Sequence, residues 1–125
     1  MTQGLIFLIC MAIEGVVAAF LGACVNRRLE LSRFGASVRA GAAAVIGTGA
    51  THPVIWLEYT RLAEWVGNRC GAIVLGAAGA ILIETLFYAA VFRGHWRWSA
   101  ALSTLANMAA FGTGFFLTSW LPRSG

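Results

Sequence analysis

The chain has 125 residues, of which 59% are hydrophobic and only 11% charged, with a formal net charge of +4. A soluble domain is about half apolar and about a quarter charged, and a chain this short has too little interior to hide the surplus. A soluble globular domain, a disordered tail and a coiled coil are thereby excluded, leaving an all-α integral membrane protein.

The first apolar run covers 4–25 and contains one charged residue, Glu14. Helix is the required conformation, because in lipid each backbone group must find its partner within the segment. A transmembrane barrel would need strict alternation, which Ala42-Ala43-Ala44-Val45-Ile46 lacks. Cys10 and Cys24 stand in this run about 21 Å apart on a helix, too far to pair or to share a metal. They read, with Cys70, as small packing residues. Leu21-Gly22-Ala23-Cys24 only loosely resembles a lipidation box, and the N-terminus lacks the basic leader of a signal peptide, so the run is expected to be a retained membrane helix.

The other runs cover 40–57, 71–92 and 99–121, and Glu84 is the only charge inside them. Each is long enough to cross a hydrocarbon core of about 30 Å. The reading is one domain, a bundle of four transmembrane helices. The second connection, 58–70, reads equally as a short amphipathic helix carrying Leu62, Trp65 and Val66 or as a plain loop.

Arginine decides orientation. The first and third connections hold Arg27, Arg28, Arg33, Arg39, Arg93 and Arg97, against Arg61, Arg69 and Arg123 on the other side. The positive-inside rule places the first set in the cytoplasm and both termini outside. This pattern of short basic connections also argues against nucleic acid as a partner. Trp56, Trp65, Trp96, Trp98 and Trp120 fall near run ends, as an interfacial aromatic belt requires. Arg-only, Ala- and Gly-rich usage suits a bacterial inner membrane and a GC-rich genome.

Residues four apart share a helix face. Cys10, Glu14, Ala18, Gly22 and Asn26 form one such column, and Ala40, Ala44, Thr48, His52 and Trp56 a second. Gly76, Ala80, Glu84 and Tyr88 form the third, and Ser103, Asn107, Ala110, Gly114 and Thr118 the fourth. These small and polar stripes are expected to face one another inside the bundle.

Glu14, His52, Glu84, Asn107 and Tyr88 are the candidate site. On a helical rise they lie about 8–26 Å below the outer edge. A charge there costs on the order of 3 kcal/mol, and intramembrane acids mark ion, proton or substrate pathways. A carboxyl out of water also favours its neutral form, which would make the same Glu residues packing glue. Pro53 after His52, with Gly47 and Gly49 nearby, predicts a kinked or unwound second helix whose carbonyls around Gly49 complete the site. Glu14, His52 and Glu84 suit a metal by ligand type, but no spacing enforces it, and no cofactor motif is present.

Ala12-Ile13-Glu14-Gly15, in a set of four short helices, resembles the small multidrug resistance exporters. The resemblance covers part of one helix and implies antiparallel dimers exchanging protons for cationic drugs at Glu14. His52-Pro53, Glu84 and the arginine asymmetry depart from that pattern.

The expected function is a small transporter or permease for protons, a cation or a small solute, and a homo-oligomer because four helices enclose little space. The alternative is an accessory or assembly subunit whose polar stripes receive helices of other membrane subunits. An enzyme is not expected, since no nucleophile or metal motif is present.

Overall fold

The computed structural model describes residues 3–120. They form four helices: α1 (Gln3–Cys24), α2 (Arg33–Val66), α3 (Arg69–Val91) and α4 (Trp96–Trp120). No strand occurs among the described residues. All four helices are long and apolar enough to cross a membrane. The side chains of Thr118 and Trp120, with Leu121 and Arg123, lie outside the described residues.

The helices form a closed ring. Each packs on its neighbour in sequence, α4 closes on α1, and α1 and α3 stand on a diagonal. The ring turns its small and polar stripes inward. Glu14, Ala18, Ala40, Ala44, Thr48, Ala80, Glu84, Tyr88, Ser103 and Ala106 are all buried. Large apolar side chains face out, as in Val16, Leu82, Met108 and Phe115. Lipid tails are as apolar as leucine, so burying large side chains gains little in a membrane. Close backbone approach is what remains. Gly22 shows it: a Cβ there would lie 2.6 Å from the Ala40 Cβ and 2.7 Å from the Ala36 carbonyl oxygen.

The second helix departs most from expectation. It spans 34 residues, about 51 Å, rather than the 18 of its apolar run. The residues on either side of that run continue the helix, so Leu62, Trp65 and Val66 belong to α2. Ser32 caps its start by accepting from the Gly35 N–H. Gly67 ends it in the left-handed region, at φ 78°, where other residues are strained. Asn68 then caps α3 through the Gly71 N–H, making the link two residues long. Phe7 of α1 lies beside His52 and Trp56, so the last turns of α2 run past the start of α1 together with the first turns of α3.

Pro53 does not unwind this helix. Proline removes one donor, while Gly47 on Glu84 and Ile55 on Gly76 hold the helix against α3 on both sides of it. Pro53 itself is exposed.

The buried apolar core is lopsided. Ala18, Leu29, Ala36, Ala40, Ala43, Ala44, Tyr88, Phe92, Leu102 and Ala106 form one cluster. All of it lies on the arginine-rich side of Glu14, Thr48, Glu84 and Asn107. Arg39 ties that side together by donating to the Val91 carbonyl at 3.3 Å, at the C-terminal end of α3.

Candidate functional site: a buried carboxyl pair

All four helices meet in one polar layer. Glu14 comes from α1 and Glu84 from α3, across the diagonal. Both are fully buried. Glu84 can lie flat on α2 because Gly47 stands opposite: a Cβ there would be 2.8 Å from the Glu84 Cγ. Asn107 of α4 sits between the two acids. Its Nδ2 donates to Glu84 Oε2, to Glu14 Oε1 at 3.3 Å and to the Ser103 carbonyl at 3.0 Å. Thr51 of α2 completes the layer, with its hydroxyl 3.0 Å from both Glu84 Oε1 and the Gly47 carbonyl.

Hydrogens are scarce in this layer. Asn107 Nδ2 carries two and Thr51 Oγ1 one. With the Thr48 hydroxyl, that makes four, against four carboxyl oxygens and two carbonyls, and Glu14 Oε2 has no partner at all. The Thr48 hydroxyl stands next to Glu14 without reaching hydrogen-bond geometry, and it too has no partner. The two carboxyls share the Asn107 amide. Two negative charges side by side in a medium of low dielectric repel strongly. One added proton between them would relieve the repulsion and fill the missing donor.

The chain has no significant match among family models, curated proteins or solved structures. What the polar layer can do must be read from its own atoms.

Three of the five expected site residues, Glu14, Glu84 and Asn107, converge. His52 does not join them by any hydrogen bond. It is half-buried, its ring lies 5.5 Å from that of Phe7 and 6.5 Å from that of Trp56, and its buried Nδ1 has no partner. Tyr88 lies one turn beyond Glu84 toward the arginine-rich end. It is fully buried, stacked on Phe92 at 6.2 Å, and its hydroxyl has no partner. Gly49 does not join the layer: its position is exposed, nothing lies within 4 Å of a Cβ built there, and the helix continues through it. Among the described residues no group of three His, Cys, Asp or Glu is placed to hold a metal, so Glu14, His52 and Glu84 do not assemble into one.

Thr51 lies off the four-residue column that the sequence marks on α2, Ser103 stands on the expected α4 column without being singled out as a site residue, and Gly47 enters the sequence reading only as a helix weakener. From Thr48 the helical face continues at either the third or the fourth residue. Stepping by three gives Thr51, which reaches Glu84, whereas stepping by four gives His52, which turns toward α1.

Proposed function

We propose that the protein is a small membrane transporter in which Glu14 and Glu84 together carry a proton. The observation that supports this is the shortage of hydrogens around two fully buried carboxyls joined by one amide. The closed layer suits a proton better than a larger solute, because neither acid has any exposed surface. Asn107 bridges the two carboxyls through one amide nitrogen, and Thr51 fixes one Glu84 oxygen. Loading and release of the shared proton then change the charge at the centre of the bundle by one unit.

The same reading places the protein in a bacterial inner membrane with its arginine-rich end in the cytoplasm, following the positive-inside rule. An accessory subunit would have to seat its partner on the outward faces, since the polar stripes already bury one another within a single chain.

The test is proton flux into liposomes carrying the purified chain, driven by an imposed potential and followed with an entrapped pH dye. Glu14→Gln and Glu84→Gln are each expected to reduce flux to that of empty liposomes, with helicity retained. Flux at the original rate in both variants rejects the reading.

A further inference from the structure

We propose that the cleft lined by Arg28, Arg97, Trp98 and Ala101 binds the phosphate of an anionic phospholipid headgroup. The cleft is open, has a volume of about 460 Å³, and lies at the arginine-rich end of the bundle. Its two guanidinium groups are 69 positions apart in the chain, one in the connection after α1 and the other in the first turn of α4. Folding brings them to one cleft because α4 closes the ring on α1.

Both arginines are exposed, and neither side chain has a hydrogen bond or ion pair among the described residues. Arg39, by contrast, is committed to Val91, and Arg61 to Glu58. The connections at this end carry one acid, Glu30, itself exposed and held at φ 54°. Two uncommitted, forked donors lining one cleft match a phosphate diester.

The walls select a lipid over a free anion. Trp98 packs on the buried cluster and offers a rigid aromatic side to the cleft. Arg97 heads an exposed apolar column on α4 that continues through Ala101, Leu105 and Met108. A phosphate seated between the arginines would lay an acyl chain along that column, toward the middle of the membrane. Ala101, a small lining residue, leaves room for the glycerol region. Basic pockets between membrane helices are known to take such headgroups.

The experiment uses the full chain in dodecyl maltoside, with bound lipid counted by native mass spectrometry over a titration of phosphatidylglycerol. Saturable binding is expected, about 30-fold weaker in R28Q/R97Q, taking about fivefold per arginine near a membrane surface. R27Q/R33Q removes the same charge from the same end and is expected to bind nearly as the parent does. Ala101→Phe fills the cleft while keeping both arginines, so its loss of binding does not depend on how the double variant folds. Equal weakening by the two arginine pairs, or equal binding of phosphatidylcholine, overturns the proposal. Inorganic phosphate bound as tightly as the lipid and with the same arginine dependence overturns the lipid assignment in favour of a free anion.

Discussion

The two halves of the bundle, divided at the layer of Glu14 and Glu84, are built differently. On the arginine-rich side the ring is filled by alanines from α1, α2 and α4 around Tyr88 and Phe92, which are 0% and 1% exposed. On the opposite side the buried residues are scattered, including Cys10, Ala72 and Ala80, and His52 is only half-buried beside Phe7 and Trp56. The carboxyls thus sit on the lid of a tightly packed half and at the floor of a looser one. In a membrane, tightness comes from small residues and close backbones, and the half with more of them is the one that excludes water. The proposed proton exchange is therefore expected to begin from the looser half.

The largest expected effect tests tightness directly. Gly22 lies in the packed half, where a Cβ would meet the Ala36 carbonyl oxygen at 2.7 Å, an atom that cannot rotate away. Gly22→Ala is expected to cost about 1–3 kcal/mol, the range for overpacking. Gly79→Ala meets nothing within 4 Å and should be neutral or gain up to about 1 kcal/mol of helix propensity. Unfolding in mixed micelles with increasing dodecyl sulfate reads both. If the two variants unfold alike, the packed half is not packed in the way described.

The next effect lies on the boundary. Asn107→Leu keeps the volume and deletes the donor shared by α1 and α3. Hydrogen bonds between membrane helices average about 0.6 kcal/mol and reach about 1.7, so two carboxyls losing one amide should destabilise by about 1–2 kcal/mol. Ser103→Ala, which removes one bond to the Ile81 carbonyl, should lose about 0.6 kcal/mol. Equal losses in the same unfolding assay would show that Asn107 does not tie the diagonal helices together.

Much of this plan is legible in the residues alone. Apolar run length dictates four helices, and the four-residue steps from Cys10, Ala40, Gly76 and Ser103 mark the faces that become the interior. The ends are less legible, because a helix need not stop where its apolar run stops: Glu58, Arg61 and Glu64 prolong α2 at no penalty once they leave the lipid. Pro53 misleads for a related reason, since packing against α3 holds a helix that propensity alone would break. The centre is legible as chemistry but not as geometry. Two buried acids announce a site, yet whether Thr51 or His52 serves it depends on rotation of α2 by part of a turn. That rotation is set by Gly47 lying on Glu84, a contact between residues 37 positions apart that no local pattern encodes.

The smallest expected effect is at Tyr88, in the packed half one turn from Glu84. Tyr88 is the only member of the apolar cluster with a polar side-chain atom, and that hydroxyl is buried without a partner. An unpaired buried hydroxyl is a liability of about 1 kcal/mol or more. Tyr88→Phe removes it and keeps the ring stacked on Phe92, so stability is expected to rise by up to about 1 kcal/mol. If the proton leaves Glu84 toward the arginine-rich end, the Tyr88 hydroxyl is the first group in that direction able to accept and donate it. Flux in the liposome assay should then fall while stability rises. A residue that serves packing alone cannot produce that opposed pair, because whatever improves the packing would leave the carboxyls working as before. Lower stability with unchanged flux would mean that the hydroxyl is bonded and idle, and that the packed half begins elsewhere.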